Sequence, residues 1–167
     1  MTSPTLRELL GSLPQQGMVR WIGVRPARRA PVVSVDWVEA NAGAGLSGDR
    51  FAAGANSKRQ VTLIQHEHLR VIGELLARGA IDPALLRRNL AVSGINLLAL
   101  TGAEFRIGGA LLLGTGACHP CSRIEEALGP GGYNAVRGHG GLTAQVVESG
   151  LIRIGDPVRM ISAGTVK

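Results

Sequence analysis

Short apolar stretches, each closed off by glycine or proline, recur along most of the chain, and their spacing constrains the fold more than any other feature. Met18 to Val24, Val32 to Val38, Gln60 to Ile64, Leu90 to Val92, Glu104 to Ile107, Ala110 to Leu113, Leu142 to Val147 and Pro157 to Ile161 read as strands. With 24 glycines in 167 residues, turns between them are cheap to make. Prolines in Arg25-Pro-Ala-Arg28-Arg29-Ala-Pro31 break the ladder between the first two strands, which predicts a hairpin with an arginine-rich connection. Asn41 to Arg50 reads as a glycine-rich loop, and a further loop runs from Ala52 to Ser57.

Helical signals are fewer. Thr5 with Glu8 is a capping-box pattern that opens a short helix to about Leu13, where Pro14 ends it. His66 to Arg78 carries Leu69, Ile72, Leu75 and Leu76 on one face, with Gly79 placed to cap it. Asp82-Pro83 opens a short helix over Ala84 to Arg88, and Ser122 with Glu125 opens another through Leu128. Gly129 to Gly132, Ser149-Gly150 and Gly155-Asp156 read as turns. Strands outnumber helices, so the expected class is α+β and predominantly β. The expected architecture is a barrel or sheet with two or three peripheral helices. Residues 1–17 form an N-terminal extension with a short helix, and residues 18–167 are long enough for a single domain with its own core.

The start of the chain lacks a basic segment followed by an apolar one, and no apolar run approaches the roughly 20 residues that cross a bilayer. A cytoplasmic protein with no membrane partner is expected. A net charge of +6 points to an anionic partner. Nucleic acid is disfavoured, because Trp21, Trp37, Phe51, Phe105 and Tyr133 are the only aromatics and form no stacking platform. Lys58 and Lys167 are the only lysines, so the positive charge is almost all arginine, whose planar fork suits phosphate and carboxylate groups.

Chemistry concentrates at Gly114-Thr-Gly-Ala-Cys-His-Pro-Cys-Ser-Arg-Ile-Glu-Glu-Ala-Leu128, where a strand hands over to a helix. Cys121 falls at the start of that helix, where free N–H groups and the dipole favour a thiolate, the form that ligates metals and attacks electrophiles. Two inert buried cysteines are the plain alternative. A thioredoxin-like pair is disfavoured because no βαβ context precedes it. Cys118, Cys121, His119 and His139 compose a rival zinc set, although His119 between the cysteines is poorly placed for tetrahedral closure. His66 and His68 point apart on one helix, unlike an i, i+4 metal pair.

Several elements in fixed order carry a resemblance: Gly48-Asp49-Arg50, Arg59-Gln60-Val-Thr-Leu-Ile64, Arg87-Arg88-Asn89-Leu-Ala-Val-Ser-Gly-Ile-Asn-Leu97, Pro120-Cys121, and Gly140 to Val158. Together, over roughly Met18 to Met160, they resemble the MOSC domain, named for the molybdenum cofactor sulfurase C-terminal domain. The resemblance implies a MOSC-type mixed β-barrel that cradles a molybdopterin-type molybdenum cofactor. It implies that Cys121 is the catalytic residue and the metal ligand. Arg87 and Asn89 look like the family's cofactor-anchoring pair, Arg88 between them is a second candidate, and Arg50 corresponds to the Gly-Asp-Arg loop. Relatives often carry His after that loop, and here it is Phe51.

The implied activity is molybdenum-dependent reduction of N-hydroxylated or N-oxide small molecules, with electrons from a donor protein. Two other functions stand beside it: a sulfur carrier with a persulfide on Cys121, and a cofactor-free binding module for a phosphorylated small molecule. Plainer roles also exist for each anchor. Arg87 and Arg88 follow a helix end that favours cations, Asn89 is a candidate cap, and Arg50 with Asp49 is a candidate surface ion pair. The family is associated with pyridoxal phosphate through its sulfurase relatives, but neither lysine stands in a recognisable Schiff-base context.

Overall fold

The computed structural model describes residues 2–50 and 57–164. In chain order the elements are α1 (Leu6–Gly11), β1 (Gly17–Val24), β2 (Val33–Ser34), β3 (Trp37–Asn41), β4 (Gly45–Leu46), β5 (Val61–Gln65) and α2 (His66–Leu75). β6 (Leu90–Ser93), β7 (Glu104–Ile107), β8 (Ala110–Ala117), α3 (Ser122–Leu128), α4 (Gly132–Val136), β9 (Leu142–Glu148), β10 (Gly150–Arg153) and β11 (Pro157–Ser162) follow. Three-residue-per-turn helices at Pro83–Leu86 and Leu97–Leu100 flank β6. Among the described residues no helix is long and apolar enough to cross a membrane.

Strands β1, β6, β5, β9, β8, β7 and β11 pair in that order, and β11 pairs back with β1, so the sheet closes into a seven-stranded barrel. Every barrel pairing is antiparallel except β5 with β6, where Leu63 stands opposite Leu90. A parallel pair needs a long crossover, and α2 with the Pro83–Leu86 turn supplies it. β10, β3 and β4 form a separate three-stranded sheet. Its Val38, Ala40, Leu46 and Ile152 join the barrel core with Leu63, Leu90, Phe105 and Leu112.

Alternation along β5 and β6 sorts the apolar side chains onto two faces. Leu63, Leu90 and Val92 belong to the barrel interior, whereas Ile64 and Ala91 belong to a second cluster with Ile72, Leu86, Ile124, Leu128 and Val136. This parallel pair is therefore buried on both sides, and the helical layer lies over it.

Several sequence expectations change in physical detail. Val32 to Val38 is two strands: β2 pairs with β1, and β3 belongs to the small sheet. α2 ends at Leu75, and the left-handed residue after it is Ala77 at φ 55°, not Gly79. The returning chain packs over Gly73, where any side chain would meet the Gly79 carbonyl. Ala84 to Arg88 is not an α-helix: the tighter Pro83–Leu86 turn stops at Arg87, which is left-handed at φ 58°. β10 occupies part of a stretch read only as turns, β4 lies in the glycine-rich loop, and α4 follows the turn after Leu128, so the described residues include four α-helices.

The Thr5 and Glu8 capping box forms as expected. The Ser122 and Glu125 box does not. Cys121 is the N-cap of α3 and Ser122 its first helical residue, while the Glu125 carboxylate accepts from the Gly131 amide at 2.8 Å and the Tyr133 amide at 2.7 Å. Glu125 thus ties α3 to α4.

Two predictions follow from these contacts. The Tyr133 and Gly131 amides hold the Glu125 carboxyl below the usual carboxylate range. A depressed folded value contributes stability above the unfolded value of about 4.3 that is lost as pH falls through the folded value. Glu125→Ala therefore lowers the urea midpoint near pH 7, and the difference from the natural protein shrinks as carboxylates protonate. Gly141, at φ 94°, has no room for a side chain against the Leu63 carbonyl. Gly141→Ala is expected to cost at least about 2 kcal/mol in denaturant unfolding, from combined strain and overpacking.

Candidate functional site

β8 delivers the chain to its two cysteines along the barrel wall. The Cys118 amide donates to the Gly141 carbonyl at 2.8 Å, and Gly140 lies so close to the Cys118 carbonyl that a side chain there would not fit. This contact pins the segment against the start of β9. Cys118 is 3% exposed, whereas Cys121 is exposed and its thiol makes no capping bond to α3. The plain alternative of two buried cysteines holds for Cys118 alone.

Arg88 is the structural centre of the site. It is only 6% exposed. Its Nε donates to the Gly140 carbonyl at 2.8 Å and its Nη1 to the Leu86 carbonyl at 2.7 Å, while the buried Nη2 has no partner among the described residues. Burial lowers the Arg88 pKa from its ordinary value; Cys118 and Cys121 oppose that shift, and the neighbouring cations Arg59 and Arg87 add to it. A buried guanidinium with a spare donor and further arginines beside it is set up to receive an anion.

That anion has a cavity to enter. About 280 Å³ is enclosed by Arg25, Arg59, Arg87, Arg88, Asn89 and Cys121, with Cys118, His119 and Asp49 also on its wall. Arg87, Arg88, Asn89 and Cys121 are therefore brought together. The Asn89 side chain is heavily used by the protein itself. Its Oδ1 accepts from the Thr62 amide at 3.0 Å and the Thr62 hydroxyl at 3.2 Å, and its Nδ2 donates to the Gly23 carbonyl at 3.1 Å. Asn89 thus joins β5, β6 and β1 at the end of the barrel where the cavity opens.

Arg50 stands apart from this group. It is exposed, and its amide donates to the Arg25 carbonyl at 2.7 Å. Asp49, not Arg50, lines the cavity, and its Oδ1 accepts from the Arg25 amide at 2.8 Å. The Gly-Asp-Arg loop therefore acts through its backbone and carboxylate to set the end of β1. Phe51 lies outside the described residues.

Arg25 and Arg59 are cavity residues that the sequence did not single out. The parallel register of β5 and β6 explains both the miss and the signal. Arg59 precedes β5 as Arg87 and Arg88 precede β6, and the two approaches lie side by side. Arg25 directly follows β1, which is antiparallel to β6 and so ends at the same rim.

The zinc arrangement does not form. Among the described residues no three His, Cys, Asp or Glu side chains are grouped to hold a metal ion. His139 instead packs edge-on against His68, with ring centroids 4.8 Å apart.

Comparison with known proteins places this geometry in context. The MOSC domain profile matches residues 34–159, about three quarters of the chain. No curated protein matches the sequence. Among solved structures, the YuaD protein of Bacillus subtilis superposes with a TM-score of 0.78 at 21% identity, covering 90% of this chain and 99% of that one. YiiM of Geobacillus stearothermophilus superposes with a TM-score of 0.71 at 17% identity, covering 87% and 75%. YiiM of Escherichia coli gives 0.66 at 19%, covering 87% and 70%. These likenesses are of fold. The closed mixed barrel and the extent of the profile match together establish that the chain belongs to the MOSC domain family.

Proposed function

We propose that the protein binds a molybdenum cofactor and reduces N-hydroxylated or N-oxide small molecules with electrons from a partner protein. The observation that carries this reading is the buried Nη2 of Arg88, without a partner among the described residues, in an arginine-lined cavity whose wall also includes the exposed Cys121. The donor set fits the group. A thiolate is a soft ligand suited to a transition metal, and guanidinium forks suit a phosphate. The family's association with molybdenum cofactor supports the same assignment.

In this reading Cys121 is the metal ligand, and Arg88, Arg87, Arg59 and Arg25 hold the anionic part of the cofactor. Asn89 and Asp49 fix the backbone that carries those arginines. Bound there, the cofactor supplies removal of oxygen from an N–O bond, which consumes two electrons and two protons and releases the reduced nitrogen compound and water. The chain carries two cysteines and no flavin or iron–sulfur motif, so the electrons come from a donor protein.

Metal analysis and pterin fluorescence on protein from cells with an intact molybdenum-cofactor pathway test the reading. Near-stoichiometric molybdenum and pterin are expected, with molybdenum falling at least tenfold in Cys121→Ala. Absence of both from folded protein overturns it. In that case, cyanide-releasable sulfur on Cys121 identifies a sulfur carrier, and inorganic pyrophosphate binding that survives Cys121→Ala identifies a phosphate-binding module. Arg59 is exposed, so Arg59→Ala changes stability by no more than about 0.5 kcal/mol. Loss of one charge-assisted bond of about 1.5 to 3 kcal/mol should weaken pterin retention roughly tenfold or more, read by fluorescence after gel filtration.

A further inference from the structure

Against the cysteine segment lies a second cavity, of about 800 Å³, that differs from the first in the charge of its wall. Cys118 and His119 belong to the walls of both. Four arginines line the smaller cavity, whereas among the described residues no arginine or lysine lines the larger. Its wall is mostly apolar, from Ile95, Leu97, Leu98, Ala117, Pro120 and Leu142. Such a volume, with apolar walls and a few polar groups, suits an organic ligand of drug-like size.

We propose that this larger cavity is the pocket for the organic substrate, and that it takes flat, mainly apolar, neutral or cationic N–O compounds. The inference rests on the reading under Proposed function for the reaction, but its binding claim stands on the division of charge between the two cavities. An anionic group is drawn to the arginines, and an uncharged or cationic apolar body is better accommodated where no cation waits. The shared Cys118–His119 wall sets the two ligands beside one another.

The polar groups at the large cavity hold its wall, and the acidic side chain among them, Glu67, adds no charge that would repel a cation. The Gln65 Oε1 accepts from the Leu97 amide at 3.1 Å and its Nε2 donates to Glu67 at 2.9 Å, while Glu67 also accepts from the Gly94 amide at 3.2 Å. This network fixes the loop from Gly94 to Leu98. Leu98, 69% exposed, stands at the mouth with its amide held by Asn96. Water-exposed leucine at a cavity mouth gains by covering an apolar ligand. His68 lines the cavity against His139, and its pKa lies below the ordinary histidine value because of burial and then His139, with Glu67 opposing. At neutral pH its imidazole is therefore uncharged and able to hydrogen-bond an N–O oxygen without repelling a cationic ligand.

The test is calorimetry on the full chain without cofactor, using quinoline N-oxide for the large cavity and inorganic pyrophosphate for the small one. Ala117 is exposed at the end of β8 and faces the cavity, so Ala117→Phe fills space without entering the core. Quinoline N-oxide is expected to bind one per chain and to lose at least tenfold in affinity in Ala117→Phe, with pyrophosphate binding changed less than twofold. Leu98→Asp, at an exposed position, is expected to weaken the same probe and serves if Ala117→Phe fails to fold. Arg59→Ala should do the reverse, weakening pyrophosphate and sparing quinoline N-oxide.

No binding of quinoline N-oxide, binding unaffected by either cavity variant, or displacement of it by pyrophosphate overturns the proposal. Loss of quinoline N-oxide binding in pterin-loaded protein would put the pterin in this cavity and overturn it as well. None of the calorimetric readouts on unloaded protein needs molybdenum, so failure of the cofactor reading and failure of this one are distinguishable.

Discussion

Arg88 carries a permanent positive charge into the interior, and much of the surrounding arrangement answers the cost of putting it there. Two of its N–H groups are satisfied by carbonyls, one from the turn before β6 and one from Gly140 before β9. The second bond is the consequential one. It holds the Gly140–Gly141 corner where the Cys118 backbone packs on it, so one guanidinium fixes both the approach to β9 and the segment that presents Cys121. Glycine is required at both corner positions because Cys118 and Leu63 carbonyls occupy the space a Cβ would need. The remaining Nη2 is the part of this arrangement that no described residue satisfies.

The barrel topology explains why so much positive charge collects at one rim. β5 and β6 run parallel, so the arginines that precede each strand emerge together, and antiparallel β1 brings Arg25 to the same end. Asn89 then binds across all three strands and holds their ends in register. Like charges this close repel one another, and Arg59 and Arg87 accordingly add to the lowering of the Arg88 pKa. Beyond the Cys118–His119 wall the cationic character ends and the apolar cavity begins. The molecule thus sets an arginine-lined cavity and a mostly apolar one on a shared chain segment.

Local signals in the sequence carried the strands of the barrel and the strand-to-helix junction at Cys118 and Cys121, because alternation, prolines and apolar runs act over a few residues. The family resemblance added the barrel and pointed to Arg87, Arg88 and Asn89, which the fold brings to one cavity. Features that depended on partners distant in the chain were not legible. Glu125 looked like the partner of Ser122, and only the presence of α4 turns it toward Gly131 and Tyr133. Arg25 and Arg59 lie 34 residues apart, and only the closure of the barrel brings them to one cavity. Arg50 has the right motif but an exposed position, with its neighbour Asp49 facing inward instead. The apolar cavity had no sequence signature at all, since its wall is assembled from β5, α2, β8, β9 and three connecting segments.

The proposed function makes Cys121 and the Arg88 cavity one cofactor site, with buried Cys118 serving as wall. Anomalous diffraction at the molybdenum edge, on crystals of protein produced with an intact cofactor pathway, tests this arrangement. A molybdenum peak at bonding distance from the Cys121 sulfur is expected, with phosphate density on the Nη2 of Arg88. A peak on Cys118, or a bound cofactor whose phosphate lies away from Arg88, would contradict it.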